Sequence, residues 1–159
     1  MRLLTNNPKA GAIARAERFG IPVKIFDRPT FTQTDQIVRH LQEIGIDFIV
    51  LAGFMWLVPA NLISAFPQRM VNIHPALLPA YGGKGMYGMY VHQAVVEAGE
   101  KVTGITIHYV NEKYDEGQII FQAHCDVAPN DTPDDIADKV HALEYQYYPK
   151  VVEDLIKNI

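Results

Sequence analysis

An asparagine and a histidine stand two residues apart at the end of a short apolar run: Asn72 and His74 in VNIHPALLP, residues 71–79. In an extended strand, positions i and i+2 project to the same side. The amide and the imidazole therefore point together, just before Pro75 turns the chain away. Such a pair donates hydrogen bonds to an oxygen that gains negative charge, as in the transition state of acyl transfer. A third group, Asp115, lies in the loop NEKYDEGQ, residues 111–118. A carboxylate beside His74 favours the imidazolium and relays a proton through water. Each residue also has an ordinary reading. Asn72 caps a turn, His74 is a satisfied core histidine, and Asp115 forms a loop turn.

Behind the pair comes GGKGMYG, residues 82–88, with four glycines and one lysine. Gly83, Gly85 and Gly88 fit G-x-G-x-x-G, but that fingerprint needs a strand directly before it and a helix on its last glycine. Pro75 and Pro79 separate this stretch from the apolar run. No Gly-Lys-Ser or Gly-Lys-Thr is present, so a P-loop is excluded. The better reading is a loop beside a site, with Lys84 either in solvent or against an anionic group.

The elements that must position these residues alternate in type. Strands are expected at 2–5, 23–26, 48–52, 70–73, 103–110 and 118–127, and helices at 10–19, 34–44, 59–66 and 91–98. Ile37, Val38, Leu41 and Ile44 recur at helical spacing, and FIVLA at 48–52 is apolar enough to be buried on both faces. A last helix starts with Thr132 as cap, Pro133 in its first turn and Asp135 completing a capping box. Its apolar stripe continues through Val151, Val152 and Leu155, with Pro149 as the point of interruption. Strand–helix alternation predicts an α/β, doubly wound, mostly parallel sheet with a hairpin or crossover near the end. Such sheets bind ligands beyond the carboxyl ends of their strands, which is where Asn72 and His74 fall.

Composition narrows the partners. The chain has 159 residues, 48% of them hydrophobic, and a net charge of −4. That suits one globular domain over 1–159 and argues against nucleic acid, which needs a basic face. No apolar run approaches the ~20 residues that span a bilayer. With Cys125 as the only cysteine there is no internal disulfide, and a reducing, cytoplasmic setting is expected.

LAGFMWLVP (51–59), VNIHPALLP (71–79), GITIHYVNEKYDEGQIIFQ (104–122) and LEYQYYPKVV (143–152) closely resemble the folate-dependent phosphoribosylglycinamide formyltransferase family. GGKGMYG is similar to one branch of it. The resemblance runs through essentially the whole chain. It implies a Rossmann-like formyltransferase fold and formyl transfer from 10-formyltetrahydrofolate, as co-substrate, to the amine of glycinamide ribonucleotide in purine biosynthesis. No metal and no covalent enzyme intermediate are implied. Asn72, His74 and Asp115 match the family's catalytic residues. Asn72 would hold the formyl oxygen, His74 as a cation would stabilise the oxyanion, and Asp115 would hold His74 and a proton-carrying water.

On the substrate side the resemblance implies His108, placed behind the reacting groups, together with His141 and Glu144. Glu144 matches a residue that binds the ribose hydroxyls. His141 stands where relatives carry glutamine near the phosphate. Met55, Trp56, Leu57, Val58 and Val110 are implied as folate lining, with plain core as the competing reading. Trp56 replaces an arginine of many relatives. The family begins with a strand and a glycine-serine-asparagine loop that grips phosphate, and no such loop precedes Asn6. The resemblance therefore implies an N-terminally truncated version, with weakened substrate binding and an exposed strand edge that invites self-association. Two alternatives follow: a catalytically impaired folate-binding remnant, and a formyltetrahydrofolate hydrolase.

Overall fold

The computed structural model describes all 159 residues. They gather into two compact units, Met1–Asp47 with Pro59–Ala65 and Phe48–Val58 with Phe66–Ile159.

In the first unit, β1 (Leu3–Thr5) and β2 (Val23–Ile25) pair in parallel, with Leu3 opposite Val23. A parallel pair needs a crossover, and α1 (Gly11–Arg18) supplies it. Two more helices follow, α2 (Arg28–Gln33) and α3 (Gln36–Glu43). Helix α3 buries Ile37 and Leu41, four apart on one face. Helix α2 was not expected from the sequence. Pro29 reads as a breaker, but here it occupies the first turn, where its missing N–H costs nothing, and Asp27 caps the Thr30 N–H at 2.8 Å. The short α4 (Ala60–Ala65) buries Leu62.

The second unit holds a four-stranded sheet in the order β3 (Ile49–Leu51), β4 (Met70–His74), β5 (Val102–Tyr109), β6 (Ile119–Asp126). β3 and β4 are parallel, whereas β4–β5 and β5–β6 are antiparallel. The hairpin expected near the end is therefore β5–β6, and the fold class is α/β. FIVLA is less buried than its composition suggests. β3 is an edge strand with one neighbour, and Val50 remains 43% exposed.

Two helices complete this unit, α5 (Met89–Glu97) and α6 (Pro133–Lys157). The capping box forms as expected: the Thr132 hydroxyl accepts from the Asp135 N–H, and the Asp135 carboxylate accepts from the Thr132 N–H. The break expected at Pro149 does not occur. Helix α6 runs through it, because Tyr148, Val151, Val152 and Leu155 all pack on the core and outweigh one lost backbone bond. The core joins Val71 and Ile73 of β4, Ile105 and Ile107 of β5, and Ile136 and Val140 of α6. Alternation along β4 then leaves Asn72 and His74 on the other face. The Tyr148 hydroxyl donates to the Leu51 carbonyl at 2.7 Å and lies 3.4 Å from that of Val71, which ties α6 to β3 and β4.

Candidate active site

Strand register builds the site. Across β4–β5, Asn72 stands opposite His108 and His74 opposite Thr106. All four therefore share one face. A register irregularity falls at Ile107/His108, where β5 meets β6. Such bulges twist a strand and re-aim a side chain beside a site. The Asn72 Nδ2–H donates to Nε2 of His108 at 3.2 Å. Nδ1 of His108 lies 2.9 Å from the Tyr109 carbonyl, which only accepts, so this nitrogen carries the hydrogen. One Asn72 N–H is thus spent on His108 and the second stays available to a ligand.

Thr106 fixes the turn that follows the Asn72–His74 pair. Its hydroxyl donates to the Ala76 carbonyl at 2.7 Å and accepts from the Leu78 N–H at 3.0 Å and from Gln122 Nε2 at 2.9 Å. Neither Thr106 nor Gln122 stands out in the sequence, because both act only through the pairing of strands.

Asp115 reaches this face from the β5–β6 loop. Its Oδ2 is 3.5 Å from His74 Nδ1 and its Oδ1 is 3.6 Å from His108 Nε2. The backbone at Asp115 is left-handed, with φ 56°. Gly117, two residues on, passes so close to β5 that a Cβ there would sit 1.6 Å from the Tyr109 carbonyl oxygen and 3.4 Å from His108 Nδ1. Only glycine lets the loop fold back here. Gly117→Ala is expected to push the loop off β5, costing about 2 kcal/mol or more of stability. Denaturant unfolding checks this, together with the NMR environment of His108, which moves with the loop.

Two opposed influences set the charge of His74, which is only 3% exposed. Burial, the larger, lowers its pKa, while the Asp115 carboxylate and the Tyr81 carbonyl raise it; the balance lies below the ordinary value. Nε2 of His74 is 2.7 Å from the Tyr81 carbonyl and so carries a hydrogen. Only the imidazolium offers a second hydrogen to Asp115. Burial pushes Asp115 upward too, but the charge of His74 and the hydrogen bond from the Gly83 N–H act against it, and the balance lies below the usual carboxylate range.

An open cleft runs up to Asn72, His108 and Asp115, while His74 is buried behind them and is not part of its lining. Trp56, Leu57, Val58 and Val110 line it, and Asn72, His108 and Asp115 close its polar end. Met55 does not line it and is 54% exposed. Phe54 and Tyr114 add aromatic wall that the sequence did not single out. The Tyr114 hydroxyl accepts from the Leu57 N–H at 3.1 Å and so fixes two sides of the cleft to each other. His108 is buried, so it touches the other site groups rather than solvent. His141 and Glu144 lie apart from this cleft on α6. His141 is exposed and packs edge-on to His92, and Glu144 is partly buried, which raises its pKa.

The glycine stretch is a loop beside the site. Gly83, Gly85 and Gly88 all have positive φ, and the Gly83 N–H donates to Asp115 Oδ2 at 3.0 Å.

An α/β chain that gathers an amide, an imidazole and a carboxylate at the end of an apolar cleft belongs to a recognisable class. This one is a member of the formyl transferase family, whose profile matches residues 1–152. Its similarity extends to particular proteins. The chloroplastic phosphoribosylglycinamide formyltransferase of Arabidopsis thaliana is 45% identical over 94% of this chain, which spans 53% of that protein. The phosphoribosylglycinamide formyltransferase of Bacillus subtilis is 36% identical over 97% of this chain and 78% of its own length. Among solved structures, the phosphoribosylglycinamide formyltransferase of Bacillus halodurans superposes with a TM-score of 0.86 at 38% identity, covering 97% of this chain and 79% of that one. The chain thus spans about half the length of the chloroplastic relative. No helix is long and apolar enough to cross a membrane.

Proposed function

We propose that this chain transfers a formyl group from 10-formyltetrahydrofolate to the amine of glycinamide ribonucleotide. Its relatives are named for formyl transfer to phosphoribosylglycinamide. One observation carries the reading: Asn72 and His74 share one face of β4, and Asp115, far along the chain, comes directly against His74 and, through His108, up to Asn72.

In the reaction the substrate amine attacks the formyl carbon, a C–N bond forms, and the carbonyl oxygen takes up negative charge. The free N–H of Asn72 and the positive charge of His74 stabilise that oxygen. Transfer is completed when the donor nitrogen leaves with a proton, and the amine gives up one. Asp115, held as a carboxylate, accepts that proton and passes it on through water. The substrate supplies the nucleophile, so orientation of two reactants is the main requirement. The aromatic and aliphatic wall of the cleft suits a flat heterocycle on the donor.

A steady-state assay with both substrates tests this. Formylated product is the expected result. Release of free formate, independent of the amine substrate, overturns it in favour of hydrolysis. Trp56→Ala is expected to raise the KM for the formyl donor about tenfold with kcat little changed, because a wall contact is present in ground and transition states alike. Initial-rate kinetics against donor concentration check that split.

A further inference from the structure

The residues that hold His74 and Asp115 in place are themselves held. Tyr81 and Gly83 supply one backbone contact to each: the Tyr81 carbonyl accepts the His74 Nε2–H at 2.7 Å, and the Gly83 N–H donates to Asp115 Oδ2 at 3.0 Å. Between them Gly82 passes tightly, since a Cβ there would lie 2.5 Å from Leu78 Cδ2 and 3.4 Å from Asp115 Cβ. Tyr81 and Gly83, on either side of the tightly packed Gly82, thus grip both members of the charge pair.

That grip depends on an unfavourable backbone. Tyr81 has φ 55°, a left-handed conformation that a bulky residue adopts only when its surroundings impose it. The side chain supplies the anchor. Its hydroxyl donates to Glu100 Oε1 at 2.6 Å. The backbone of Glu100 is held in turn, since its N–H bonds the Val95 carbonyl of α5 and Val95 is fully buried, while its carboxylate stands at the surface. The glycines that follow Tyr81 carry no side chain that could serve the same purpose.

We propose that Tyr81 and Glu100 are positioning residues for the transfer reaction: their hydrogen bond locks Tyr81 in the left-handed conformation that aims its carbonyl at His74 and seats Gly83 on Asp115. This rests on the formyl-transfer reading of the site. Neither residue touches the cleft, so both act through His74 and Asp115.

The experiment uses the full chain with Tyr81→Phe, Glu100→Ala, Glu100→Gln and the double variant Tyr81→Phe/Glu100→Ala. Kinetics and the imidazole ¹⁵N and Nε2–H signals of His74 are measured on each. Tyr81→Phe and Glu100→Ala are each expected to lower kcat about tenfold with KM values nearly unchanged, since misplaced groups cost turnover rather than binding. Glu100→Gln keeps an oxygen that accepts the bond and is expected to recover most of the rate. The double variant is expected to be no worse than either single one, because both remove the same bond. In the impaired variants the His74 Nε2–H is expected to exchange faster with water. A Tyr81→Phe variant with the parent's turnover and the parent's His74 spectrum overturns the proposal, as does a Glu100→Gln variant as impaired as Glu100→Ala. If the parent chain transfers no formyl group, the functional reading fails by itself, and the His74 signals alone decide the positioning role.

Discussion

His74→Ala is expected to reduce kcat for formyl transfer by about 10²–10³-fold, the scale of losing one preorganised electrostatic stabiliser of a developing oxyanion. The reason lies in what the ring does. His74 is almost fully buried, between the Tyr81 carbonyl and the Asp115 carboxylate, so no solvent group takes its place. Its truncation leaves two acceptors facing an empty space and withdraws the one positive charge the site can form at that position. Binding of the formyl donor is expected to persist within a few-fold, because the lining Trp56, Leu57, Val58 and Val110 is untouched. Rapid-quench measurement of product, beside a fluorescence titration of donor binding, separates the two effects. A variant that keeps turnover within a few-fold of the parent sinks the assignment of His74.

The pairing of Asn72 with His74 was legible in the sequence because it needs only the two-residue period of a strand. The capping box at Thr132 and the stripe of α6 were legible for the same kind of local reason. What decides the site is not local. His108 becomes the partner of Asn72 only when β4 and β5 adopt their register, which pairs residues 36 apart in the chain. Asp115 approaches His74 because of a left-handed turn and a close pass at Gly117, and no spacing rule announces either. Tyr114 and Phe54 join the cleft wall by folding back from loops, whereas Met55, on the same apolar stretch as Trp56, points outward. Alternation within a segment tells which residues share a side; it does not tell which side meets the ligand. Helix α2 is defined by its start, where Asp27 caps and Pro29 sits in the first turn, rather than by an apolar stripe.

Asp115→Asn separates charge from shape and gives the second large effect. The amide oxygen still accepts the Gly83 N–H, so the loop keeps its seat. The negative charge is gone, and with it the acceptor for the amine's proton. Turnover is expected to fall about 10²-fold or more, within the range for loss of a general base. A second, independent signature follows from electrostatics. The groups facing His74 are Asp115, which raises its pKa, the Tyr81 carbonyl, which also raises it, and His108, which lowers it; His92 of α5 is near enough to feel its charge. Removing the leading favourable charge leaves burial less opposed, so the His74 pKa, already below the ordinary ~6.5 of histidine, is expected to fall further in the variant. Where turnover depends on the imidazolium, its loss on raising pH then sets in at lower pH than in the parent. NMR titration of His74 measures the shift without any substrate present. A His74 that titrates at the same pH in parent and variant places the carboxylate outside the electrostatic unit, whatever the kinetics show. A variant that shifts His74 yet keeps full turnover removes Asp115 from the proton path and leaves it as a holder of the ring.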